Sequence, residues 1–219
     1  MHKKEETIKA LLAQKLLPLY YQEDTGQCID ILKALYAAGI RLVEFTNRGS
    51  MALENFIVLK KLSAQTMEGM QLGIGTIKTA AQAEQYIKAG ADFIVAPTIN
   101  TEVATAVRQA ELLWIPGCMT PTEISQAEEA GATLVKIFPG NILGPGYISA
   151  IKELFPSIRF MPTGGVEVER ENLVAWFKAG VVAVGMGSKL ISKERIEGGK
   201  YDEIRSETEK ALQLIKEVS

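Results

Sequence analysis

The sequence predicts an α/β fold, a single (β/α)8 barrel of the TIM type with one extra N-terminal helix. Three observations carry this. Short apolar runs rich in β-branched residues alternate with longer stretches of helical periodicity along the 219-residue chain, the pattern of parallel strands joined by helices. The apolar runs number eight. Several helical stretches end on glycine just before the next run, as helix-to-strand junctions do.

In chain order, a helical segment from Glu5 to Ala13 precedes the first strand. The strands are LLPLYY from Leu16, RLVEFT from Arg41, QLGIG from Gln71, DFIVAP from Asp92, LLWIPG from Leu112, TLVKIFP from Thr133, IRFMPTGG from Ile158 and VVAVGMG from Val181. Between them, CIDILKALYAAG, KTAAQAEQYIKAG, TEISQAEEAG and ENLVAWFKAG place apolar residues three and four apart and end on Gly39, Gly90, Gly131 and Gly180. Glycine there takes a left-handed conformation without a Cβ penalty. Asp202 to Val218 forms the last outer helix. No linker or composition shift divides residues 1–219, so one domain is expected. An open doubly wound sheet shares this alternation. Against it stand the count of eight and the lack of a Gly-x-Gly-x-x-Gly turn after the first strand.

Composition narrows the function. A formal net charge of -2 with scattered Lys and Arg leaves no footprint for nucleic acid or an anionic membrane. A small molecule is the expected partner. Lys3 and Lys4 are followed by Glu5 and Glu6 and then by an interrupted apolar stretch, unlike a signal peptide. No window approaches the ~20 apolar residues of a membrane-spanning helix, so a cytoplasmic location is expected. Cys28 and Cys118 are read as reduced thiols. His2 is the single histidine, which argues against histidine acid–base chemistry and histidine-rich metal sites; no metal or cofactor is expected.

In a barrel the reactive groups sit at the C-terminal ends of strands. Lys136 lies inside TLVKIFP, flanked by apolar residues. Burial disfavours the ammonium form and leaves a neutral amine able to attack a ketone. A strand lysine can instead pair with a carboxylate or reach the rim. Glu44 in RLVEFT is a buried carboxylate that can shuttle protons, or else form a salt bridge to Lys136 or Arg48. Arg48, at the rim, suits a substrate carboxylate, and Thr76 can add a hydroxyl to it or cap a helix. Thr163, Gly164 and Gly165 of PTGGV and Gly185, Gly187 and Ser188 of GMGS follow the last two strands, where backbone N–H groups can approach a phosphate.

Together these residues resemble the class I, pyruvate-dependent aldolase family that acts on 2-keto-3-deoxy-6-phosphogluconate (KDPG) and 4-hydroxy-2-oxoglutarate (KHG). The landmarks VEFTNRG, GIGT, WIPGCMTPTE, VKIFP, MPTGG and GMGS occur in matching order and spacing over nearly the whole chain. The resemblance implies that Lys136 forms an imine, Glu44 is the acid–base group, and Arg48 with Thr76 holds the pyruvyl carboxylate. It implies that Pro97 and Phe138 line the pocket, that Thr163, Gly164, Gly165, Gly187 and Ser188 surround the distal phosphate, and that the chain forms a homotrimer. The expected partners are a keto-acid sugar phosphate and pyruvate. Ala96, Thr98, Gly140 and Asn141 depart from the family pattern and bear on which sugar acid is accepted. Two other readings fit the glycine-rich loops: a phosphate-binding barrel isomerase or synthase without covalent lysine chemistry, and a non-catalytic sugar-phosphate-binding barrel.

Overall fold

The computed structural model describes residues 3–219; His2 lies outside them. The elements run α1 (Lys3–Gln14), β1 (Leu16–Tyr20), α2 (Thr25–Ala37), β2 (Leu42–Thr46), α3 (Ala52–Thr66), β3 (Gln71–Gly75), α4 (Ala80–Lys88), β4 (Phe93–Val95), α5 (Thr101–Gln109), β5 (Leu113–Ile115), β6 (Gly117–Cys118), α6 (Pro121–Glu129), β7 (Leu134–Ile137), α7 (Gly140–Ile151), β8 (Arg159–Pro162), α8 (Arg170–Ala179), β9 (Val184–Met186), α9 (Lys193–Glu197) and α10 (Tyr201–Val218). Each expected strand is present, and the helix expected from Glu5 to Ala13 is α1.

Every ladder is parallel. The sheet differs from the expected closed set of eight strands: a curled six-stranded ladder, β5-β4-β3-β2-β1-β9, stands beside a three-stranded one, β6-β7-β8. The expected strand LLWIPG is the point of division. Pro116 has no N–H to give to a ladder, so β5 pairs with β4 before it and β6 pairs with β7 after it. At the other edges, β8 and β9 meet through a Thr163–Gly185 bridge and a hydrogen bond of 3.0 Å from Val182 N–H to Phe160 O.

Side chains alternate along these strands with a period of two, which sorts the core into two bodies. Val43, Phe45, Leu72, Ile74, Ile94, Trp114, Val135, Ile137 and Phe160 pack outward against helix residues such as Leu32, Phe56 and Trp176. Leu17, Leu42, Phe93, Val95, Leu113, Ile115, Leu134, Met161 and Ala183 form a second cluster with Leu11 of α1. One end of this inner cluster is therefore plugged by α1. Gln14, at the end of that helix, fastens the plug. Its side-chain amide donates to Leu16 O and Leu42 O, and its oxygen accepts from Arg41 N at 2.6 Å and Leu42 N at 3.0 Å.

The helix boundaries follow local chemistry. Asp24, Thr79, Asn100 and Thr120 cap the starts of α2, α4, α5 and α6 with side-chain oxygens. The expected glycine stops are present, with positive φ of 99° at Gly39, 92° at Gly90, 90° at Gly131 and 110° at Gly180.

Leu11→Ala removes the apolar plug beneath the inner cluster. It is expected to cost about 2–5 kcal/mol of stability, seen as a lower urea midpoint in circular dichroism; an unchanged midpoint would mean that α1 only rests on the strands.

Candidate active site

The inner alternation continues past the hydrophobic cluster toward the C-terminal ends of the strands, where its character changes. Above Leu42 come Glu44 and Thr46, and above Leu134 comes Lys136. Thr163 follows Met161 in the same phase, Gly185 follows Ala183, and Gly117 follows Ile115. Polar groups and glycines replace leucines on the same face.

Glu44 and Lys136 are buried, with 2% and 6% of their surfaces exposed. Burial raises the Glu44 pKa, against the pull of Lys136 and Arg48. Burial likewise lowers the Lys136 pKa; Glu44 opposes this and Arg48 adds to it. Each group thus resists its charged form. The expected alternative of a plain salt bridge is not what forms: Glu44 Oε2 is buried without a hydrogen-bond partner among the described residues, Lys136 and Arg48 included. Lys136 Nζ lies instead 5.1 Å from the centre of the Phe138 ring.

Glycines clear the space for this arrangement. Glu44 Oε1 occupies the place where a side chain on Gly75 would begin, and the Pro97 carbonyl fills the corresponding place on Gly117. Gly117 is the register partner of Lys136, so Pro97 comes close to the lysine strand. Thr76, next to Gly75, has φ of 64°, an uncommon conformation for a β-branched residue. It is not a helix cap; Thr79 performs that task for α4. Arg48 is exposed after the end of β2, and Phe138, in the inner phase two residues beyond Lys136, is 38% exposed.

The second set of candidates gathers where β8 meets β9. Thr163 is buried, and its Oγ1 has no hydrogen-bond partner among the described residues. Its side chain rests on Gly185, where a Cβ would displace it. Gly164 and Gly165 have φ of 89° and 72°, and Asn172 Nδ2 and Trp176 Nε1 both donate to Gly165 O, at 3.1 and 3.3 Å. Gly187 is half-buried and Ser188 exposed on the adjoining turn. A Lys189–Glu167 ion pair of 3.0 Å spans the two loops.

Thus Glu44, Lys136 and Arg48 feel one another's charge without bonding, Phe138 lies beside Lys136, Thr76 and Pro97 approach through neighbouring glycines, and the Thr163 and Gly187 loops form an adjoining group. Thr46, Gly75 and Gly117 were missed in the sequence; for Thr46 the available signal was its spacing of two from Glu44. Cys118 is buried and its thiol is pushed up to about 12 by burial, consistent with packing.

A curled parallel α/β sheet with a lysine and a glutamate buried among its strand ends has the form of an α/β enzyme with its reactive groups at the C-terminal ends of the strands. Residues 7–206 match the aldolase family of KDPG and KHG aldolases, and the chain belongs to that family. A 2-dehydro-3-deoxy-phosphogluconate aldolase of Treponema pallidum (strain Nichols) is 30% identical over 208 residues, 94% of this chain and 96% of that one. The 2-dehydro-3-deoxy-6-phosphogalactonate aldolase of Escherichia coli (strain K12) is 40% identical over 120 residues, 54% of this chain and 58% of that one. Among solved structures, a KDPG aldolase from Legionella pneumophila, with pyruvate captured at low pH as a covalent carbinolamine intermediate, superposes with a TM-score of 0.83 at 25% identity, over 91% of this chain and 95% of that one.

Gly75→Ala would place a methyl group against the Glu44 carboxylate. The flexible side chain can swing away, so stability should change little, whereas displacing a reactive group by about 1 Å can cost on the order of 100-fold in rate. Aldolase turnover measured beside thermal melting tests this; parallel losses in both would place the damage in folding instead.

Proposed function

We propose that this protein is a class I aldolase that cleaves KDPG into pyruvate and glyceraldehyde 3-phosphate, with Lys136 as the imine-forming nucleophile. The observation that carries the reading is the buried Lys136 amine, held near but not bonded to the Glu44 carboxylate. An amine whose pKa is lowered by burial is available as the free base.

In this reading the Lys136 nitrogen adds to the C2 ketone, and the carbinolamine loses water to give a protonated imine. The C3–C4 bond then breaks. Its electron pair flows into the imine to make an enamine, while Glu44 takes the proton of the C4 hydroxyl. Protonation at C3 and hydrolysis release pyruvate and restore the amine. Arg48 and Thr76 hold the substrate carboxylate, and Pro97 and Phe138 form the pocket wall. Thr163, Gly164, Gly165, Gly187 and Ser188 surround the distal phosphate. KHG would be cleaved by the same steps to pyruvate and glyoxylate.

The two ladders, joined by the β8–β9 contacts and the shared chain at Pro116, act in this reading as one closed (β/α)8 barrel within a single domain of residues 1–219. The working assembly is a homotrimer in the cytoplasm; among the described residues no helix is long and apolar enough to cross a membrane. The non-covalent isomerase and non-catalytic binding readings receive no support from relatives named as aldolases.

Lys136→Ala should abolish both turnover and borohydride trapping of pyruvate, checked by intact mass and peptide mapping. Glu44→Gln should cut turnover by roughly 100- to 10,000-fold while slow trapping persists. Wild-type trapping should rise with pH as the amine loses its proton and level off below the ordinary lysine value of 10.5. A rise continuing to that value would point to a surface lysine.

Ser188→Asp sets a carboxylate beside the proposed phosphate position, and like charges repel there. The kcat/KM for KDPG should fall much more than that for KHG. Equal losses for the two substrates would remove Gly187 and Ser188 from the phosphate site.

A further inference from the structure

Thr46 is 1% exposed at the C-terminal end of β2, on the inner face and two residues beyond Glu44. Its Oγ1 is buried without a hydrogen-bond partner among the described residues. A valine would fill the same volume without desolvating a hydroxyl, so a threonine here carries a cost unless its hydroxyl is used. The other unpartnered polar atom on this strand is Glu44 Oε2.

Register brings the two together. Thr46 is the β-ladder partner of Gly75, and the Glu44 carboxylate lies over Gly75, in the place where that residue's side chain would start. The glutamate therefore extends one step up the inner face, to the level of the Thr46 side chain. A threonine hydroxyl both donates and accepts, whereas a carboxylate only accepts. The hydroxyl is the natural donor.

Resting on the role proposed above for Glu44, we propose that Thr46 is a positioning residue: the two groups are not bonded to each other in this structure, and with substrate bound the Thr46 hydroxyl donates a hydrogen bond to the Glu44 carboxylate and holds it toward the reacting carbon. No bond to substrate is involved. The donor fixes the carboxylate's direction and favours its proton-accepting form while the C4 hydroxyl gives up its proton. Lys136 and Arg48 are the charged groups that also act on this carboxylate, and both stay in place when Thr46 is changed.

The experiment compares Thr46→Val, Thr46→Ser, Glu44→Gln and the Glu44→Gln/Thr46→Val double variant, with KDPG as substrate. Thr46→Val should lower kcat by about 10- to 100-fold, the range for a hydrogen bond to a charged group, with KM little changed. The acidic limb of its kcat–pH profile should move to higher pH, because the carboxylate has lost a donor. Its melting temperature should hold or rise, since a desolvated hydroxyl is gone. Thr46→Ser should restore most of the rate. In the Glu44→Gln background the valine should cost little more, as expected for residues acting through one another.

Wild-type kcat and an unmoved limb in Thr46→Val would overturn the proposal. So would an undiminished valine effect on top of Glu44→Gln, which would leave the role of Glu44 standing. If Glu44→Gln alone kept normal turnover, the assignment of Glu44 would fail first and that of Thr46 with it. Thr46→Ala supplies a second hydroxyl-free variant should valine disturb packing.

Discussion

The central constraint is the burial of two ionisable side chains, Glu44 and Lys136, on the inner face of a parallel sheet without a salt bridge between them. Burial pushes the carboxyl up and the amine down, and each group's charge pulls the other back. A direct ion pair would neutralise that tension and hold the amine as an ammonium. Separation keeps both groups responsive, at a cost in folding stability that the rest of the core must offset. The large inner and outer clusters are what make this tolerable.

Glycines act as clearances around this pair. Gly75 admits the glutamate, Gly117 lets the Pro97 carbonyl approach the lysine strand, and Gly185 receives Thr163. In each case the missing side chain is on the inner face, where the neighbouring strand's polar group takes its place. The glycines of the Gly164–Gly165 loop serve differently. Their positive φ turns the chain back, and Asn172 and Trp176 fix the turn through Gly165 O. One set of glycines makes room for side chains, and the other shapes backbone.

Pro116 shows how one residue can redirect hydrogen bonding without ending a strand's course. Its carbonyl still accepts from Lys136 N at 2.7 Å, so the proline ties itself to the lysine strand even though it gives no donor. The six-stranded and three-stranded ladders are thus stitched beside the reactive lysine. The chain around Lys136 is held by β6 on one side and β8 on the other.

Much of this was legible in the sequence because it depends on local chemistry. Alternating apolar runs, helix caps and terminal glycines set the order of elements, and a lysine or glutamate inside an apolar strand is visible without coordinates. The residue pattern also carried the family. Tertiary structure alone decided the split ladder at Pro116, because a missing N–H matters only once its neighbours are known. It alone showed that Glu44 and Lys136 approach without bonding, a matter of distances across strands far apart in sequence. Gly75 gave no signal, and the spacing of Thr46 from Glu44 showed its face but not its unused hydroxyl, for the same reason: a glycine's clearance and a hydroxyl's unused donor are defined by what lies opposite, and the sequence lists only what lies alongside.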